Sequence, residues 1–65
     1  MNRIYEIRTR LMMTQSQLSK ELGITSMAVS HYEIGRNDPP FQVLKKLKAF
    51  LLTKGIVMSY DEMRN

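Results

Sequence analysis

Ser26, Met27, Ser30 and His31 are the residues whose types and spacing could do chemistry in this chain. At about 100° per residue they share one helical stripe with Ile34, nearly opposite Ala28, Val29 and Tyr32. The stripe offers hydroxyls, a thioether and an imidazole, each good for a single hydrogen bond or an apolar contact. It does not amount to a catalytic set. The chain has no paired acids in a credible pocket, no glycine-rich phosphate loop, no thiol, and one His with no evident triad partner. With no Cys and a single His, a disulfide framework, a zinc finger and a metal site are all excluded. Neither an enzyme nor a cofactor is expected.

The elements that must position the stripe lie between Gln15 and Ile34, in QSQLSKELGITSMAVSHYEI. Leu18, Leu22, Ile24, Val29 and Tyr32 fall where two crossed helices would touch, and every polar residue between them can face outward. Gly23 follows the last apolar residue of the first of these helices, where the chain turns sharply and a positive φ costs least without a Cβ. Ser19 falls at the closest approach, where a small side chain is needed and a buried hydroxyl would bond a carbonyl one turn earlier. This is the pattern of a helix-turn-helix, and it points to double-stranded DNA. An ordinary helical hairpin is the competing reading.

Flanking patterns complete the layout. Ile4, Ile7 and Leu11 predict a helix over about residues 2 to 12, with Met12 and Met13 as core filler. Thr14-Gln15-Ser16-Gln17 reads as a capping box, so the next helix starts just after Thr14. Thr25 caps a third helix running to about Ile34 before Gly35 ends it. The segment Gly35-Arg36-Asn37-Asp38-Pro39-Pro40 must be a loop. Phe41, Leu44, Leu47 and Leu51 predict the apolar stripe of a fourth helix that Gly55 terminates, with Lys45, Lys46 and Lys48 on its other sides. Ser59-Tyr60-Asp61-Glu62 resembles a second capping box, which predicts a short helix over about residues 59 to 64. An extended segment over Ile56, Val57 and Met58 is the alternative there. The fold class is all-α, a compact bundle of four to five helices containing the helix-turn-helix.

Sixty-five residues allow one domain, expected to span 1–65, with a modest core and marginal stability that a partner subunit would reinforce. Ten Lys and Arg against six Asp and Glu give a formal net charge of +4, a usable attraction toward phosphates. The longest mainly apolar run, near Ala49 to Leu52, is too short to cross a bilayer. No secretory signal is visible in MNRIYEIRTR, so a cytoplasmic, nucleoid-associated location is expected.

Taken in register, these features resemble the Cro and CI-type repressor family of helix-turn-helix proteins of bacteria and their phages, over residues 3 to about 52. Arg8, Thr14-Gln15, Gly23, Glu33-Ile34-Gly35 and Pro39 followed by Phe41, Leu44, Leu47 and Leu51 carry the resemblance. It implies a lambda-repressor-like DNA-binding domain in which Arg8 and Glu33 form a structural salt bridge between the first helix and the end of the third. A phosphate contact is the rival role for Arg8. In the motif the N-terminal part of the second helix enters the major groove, so Ser26, Met27, Ser30 and His31 are the expected base contacts. None is Arg, Asn or Gln, so the bidentate readers of guanine and adenine are missing. Single hydrogen bonds, a Met27 contact with a thymine methyl and DNA shape must supply specificity. Phosphate contacts are expected from Gln15, at a helix N-terminus, and from Thr25, Arg36 and Asn37, with Arg10 and Lys20 as secondary candidates. Lys45, Lys46 and Lys48 of the fourth helix read as a solvated face, with a DNA contact as the rival role.

One module of this size reads few base pairs, so a homodimer on a palindromic operator is expected. Residues 55–65, with Ile56, Val57, Met58 and Tyr60, are the candidate interface. No membrane and no small-molecule ligand is expected. The alternative is an antitoxin-like or other protein-interaction module whose DNA binding is secondary.

Overall fold

The computed structural model describes residues 3–64. They form α1 (Arg3–Arg10), α2 (Gln15–Leu22), α3 (Ser26–Glu33), α4 (Phe41–Thr53) and α5 (Tyr60–Met63). Each boundary has a local cause. The Thr14 hydroxyl accepts from the Gln17 backbone N–H at 3.0 Å while the Gln17 amide oxygen accepts from the Thr14 N–H at 2.8 Å, the reciprocal box the sequence predicts. Thr25 caps α3 by accepting from the Ala28 N–H, and Ser59 with Glu62 repeats the box at α5.

The helix ends share one device. At Gly23, φ 68°, the chain turns left-handed, and the N–H groups of Gly23 and Ile24 return to the carbonyls of Lys20 and Ser19. This is the paired 5→2 and 6→1 arrangement that satisfies the last carbonyls of a helix. The same pair closes α3 at Gly35 and Arg36, and α4 at Gly55 and Ile56. It also closes α1, where Met12 and Met13 bond to Thr9 and Arg8, yet the left-handed residue there is Met12, φ 58°. A Cβ in that conformation costs about 1–2 kcal/mol. Helix α1 therefore stops at Arg10, short of the predicted Met12.

The core sits where the helices converge. It is built from Ile4 and Ile7 of α1, Leu18 and Leu22 of α2, Val29 and Tyr32 of α3, Val43, Leu44, Leu47 and Leu51 of α4, and Met63 of α5. Burial of each large aliphatic side chain contributes about 1.5–3 kcal/mol. Helix α2 packs on α3 and α4, and α1 packs on α3 and α5. Ser19 is buried at the α2 crossing, and its hydroxyl donates to the Ser16 carbonyl at 2.7 Å, as its position in the sequence requires.

Several expectations are corrected. Met12 is not core filler: it is 91% exposed, because the left-handed turn swings it outward, and Met13 alone packs against the core. Phe41 is 51% exposed and Val43 takes the core position, because Phe41 opens α4 at its first turn, beyond the packed faces. Its ring instead meets Tyr60, with centroids 4.9 Å apart. Lys48 is no solvated lysine: its ammonium donates to the Met58 carbonyl at 2.9 Å and lies 5.0 Å from the centre of the Tyr60 ring. Of the two readings of the tail the short helix is the one present, as α5, and residues 56–58 before it are neither helix nor strand.

Candidate nucleic-acid interface

Helix α3 has two unlike sides. Inward, Val29 and Tyr32 join the core and Glu33 is 2% exposed. A carboxylate that deeply buried must be paired and fully hydrogen-bonded. Glu33 is: Arg8 donates to it in a fork, Nε to Oε2 at 2.5 Å and Nη2 to Oε1 at 3.0 Å. Gln15 adds a third bond, from Nε2 to Oε1 at 3.0 Å. The remaining Arg8 nitrogen, Nη1, donates to the Met13 carbonyl at 2.9 Å. The hydrogen bond to Glu33 raises the Arg8 pKa above its ordinary value, outweighing the opposing effect of burial. No buried side-chain polar atom among the described residues lacks a partner. One carboxylate thus joins α1, the start of α2 and the end of α3.

Outward, Met27 is 66% exposed, Ser26 and Ile34 are exposed, and Ser30 and His31 are half-buried. The stripe drawn from the sequence is the solvent face of α3. Its first turn is presented by Thr25, whose oxygen accepts from the Ala28 N–H and whose own O–H remains available to donate. Gln15 keeps one amide hydrogen beyond the one given to Glu33. Arg36 and Asn37 are exposed, and their backbone N–H groups bond to the His31 carbonyl, which pins the loop to the end of α3. Arg10 and Lys20 stand elsewhere. They line a groove bounded by the α1–α2 turn, α2 and the last turns of α4, to which no residue of α3 contributes.

A family model described as helix-turn-helix matches residues 4–52, from α1 nearly to the end of α4. The chain belongs to the Cro/CI-type helix-turn-helix family. No curated protein and no solved structure matches it. As a Cro/CI-type protein it is a DNA-binding transcription regulator, and double-stranded DNA is its partner. The fork between Arg8 and Glu33 is the salt bridge that the family resemblance implies.

Two features of this Cro/CI-type site are absent from the sequence reading. The first is the Gln15 bond to Glu33, which links the start of α2 to the end of α3 and has no local signature. The second is the Met13 carbonyl, which accepts the fourth hydrogen bond of this cluster. Of the candidate interface residues, Ile56, Met58 and Tyr60 are half-buried against the core, while Val57 is 81% exposed. Among the described residues no helix is long and apolar enough to cross a membrane.

Proposed function

We propose that this regulator is a cytoplasmic repressor that binds a palindromic operator as a homodimer, with the N-terminal half of α3 in the major groove. The observation that carries this reading is the division of α3: Ser26 and Met27 are exposed and Ser30 and His31 half-buried on a helix whose opposite edge is fixed by Glu33. A rigid helix presenting short side chains can approach base edges closely. Ser26 and Ser30 each supply one hydrogen bond, direct or through water, Met27 meets a thymine methyl, and His31 donates to guanine or phosphate. Because no bidentate reader is present, DNA shape carries much of the discrimination. Gln15, Thr25, Arg36 and Asn37 surround this edge and hold phosphates. Two-fold symmetry sets the recognition helices in successive major grooves, about 34 Å apart.

Selection of bound duplexes from a random pool, followed by titration of the recovered sites at two salt concentrations, tests the reading. A palindrome with half-sites one helical turn apart is expected, and a Met27→Ala, Ser30→Ala double variant should lose about 1–3 kcal/mol of operator preference per affected base pair. Recovery of no motif, with affinity that simply collapses as salt rises, would mean non-specific phosphate binding. It would put a protein-interaction module in place of the repressor.

A further inference from the structure

The groove beside Arg10 and Lys20 has a volume of about 580 Å³ and is open to solvent. Arg10, Lys20 and Lys54 stand around it against a single acid, Glu21, and none of the four makes an ion pair among the described residues. Its apolar lining is Leu11, Met12, Met13 and Phe50, of which Leu11, Met13 and Phe50 are half-buried against the core while Met12 is exposed, and the Lys54 ammonium lies 5.5 Å from the centre of the Phe50 ring. Met12 supplies the second, independent observation. It holds the left-handed position that glycine holds at three other helix ends, and it is 91% exposed there. The side chain thus adds backbone strain and returns no packing within the chain. What it can return lies in contact with another molecule, and flexible thioethers adapt well to such contacts.

The chemistry selects among occupants. A phosphodiester backbone would satisfy the three cations but has little apolar surface to cover Met12 and Phe50. An acidic peptide with apolar side chains on one face supplies both. We propose that this groove docks an acidic amphipathic segment of a partner protein. Met12, Met13 and Phe50 receive its apolar side chains, and Arg10, Lys20 and Lys54 meet its carboxylates. No residue of α3 lines the groove, so a segment docked there leaves the outward stripe of α3 uncovered. This goes beyond the operator-binding reading and does not depend on its details.

The test uses the full chain, labelled at backbone nitrogen and at the methionine methyls, with nuclear magnetic resonance as the readout. The probe is a synthetic peptide with Glu and Asp on one helical face and Leu and Phe on the other. Its addition should shift the methyls of Met12 and Met13 and the amides around Arg10, Lys20 and Lys54, leaving Ser26 to His31 unmoved with or without bound duplex. Paired charge reversal, Lys20→Glu with Lys54→Glu, should weaken the peptide by about tenfold. Met12→Gly, which preserves the turn, should weaken it by about fivefold. The proposal is overturned if the groove signals do not move. Equal binding by a peptide of the same charge lacking Leu and Phe would overturn it as well, because the apolar contacts would then be idle. So would a direct shift of the Met12 methyl on adding duplex alone, which would make the groove part of the DNA interface. Duplex-induced shifts on α3 report separately on operator binding, so the two readings fail independently.

Discussion

The three N-terminal helices and the C-terminal pair are held by different physics. At the junction of α1, α2 and α3 the deciding contact is a buried carboxylate with three donors, Arg8 twice and Gln15 once. Around α5 most contacts are apolar or involve rings, with Met63 in the core, Phe41 against Tyr60 and Lys48 over the Tyr60 ring, beside one bond from the Lys48 ammonium to the Met58 carbonyl. Charge-assisted hydrogen bonds are directional, so they fix how α3 projects from the body. Apolar contact is not directional, and it tolerates adjustment. The region that must present a helix accurately uses the first kind. The C-terminal region uses the second and leaves Leu52 and Val57 exposed.

The contrast is broken most strongly at Glu33. Glu33→Ala strands the Arg8 guanidinium, whose side chain is only 15% exposed, and should cost about 3–5 kcal/mol in urea unfolding. Joint replacement by apolar residues, Arg8→Met with Glu33→Leu, should recover much of that stability. A single-variant cost below about 1 kcal/mol would remove the distinction between the two regions. The same experiment on the C-terminal side should look different. Val57→Asp, at an exposed position, should leave monomer stability within about 0.5 kcal/mol while shifting the sedimentation equilibrium of the proposed dimer toward monomer. An unchanged dimer would place the interface away from Val57.

Smaller changes sharpen the comparison. Met12→Gly relieves a left-handed Cβ but loosens the unfolded chain, so thermal unfolding should show a net gain of about 0.5–1 kcal/mol. Gly23→Ala makes the opposite change in the same hydrogen-bonded turn and should lose about 1 kcal/mol. Steric conflict adds little there, since a new Cβ would meet only the mobile end of Lys46, at 3.1 Å. The smallest effect is confined to α5. The Ser59 backbone N–H, then its hydroxyl, hold the Glu62 carboxyl below its ordinary pKa. Its contribution to the cap is therefore complete above the ordinary glutamate range and is lost as pH falls through the lowered value. Amide shifts over residues 59–63 should move on acidification through that window.

What could be read from the sequence was local. Thr14 with Gln17, Thr25, Ser59 with Glu62, and the glycines after α2, α3 and α4 announce helix ends within a few residues, and each stands where it was read. The apolar stripes of α2 and α4 were legible for the same reason, as was the division of α3 into inward and outward residues. Phe41 has the right spacing for the core but sits too early in α4 to reach it. Met12 was not legible because methionine carries no turn signal. Only the demand that α1 stop before the Thr14 cap forces it into a left-handed turn. The roles of Gln15 and Lys48 depend on Glu33 and Met58, distant partners that no periodicity within one helix can reveal.

The shared way of ending α1 through α4 bears on how fast this chain finds its structure. Each terminus is closed by bonds reaching no more than five residues back, and α2, α3 and α5 are opened by caps acting across three. Little loop-closure entropy has to be overcome before such contacts form, so helix boundaries can be established before the helices meet. Folding should then be limited by docking of preformed segments, on a timescale on the order of microseconds to milliseconds.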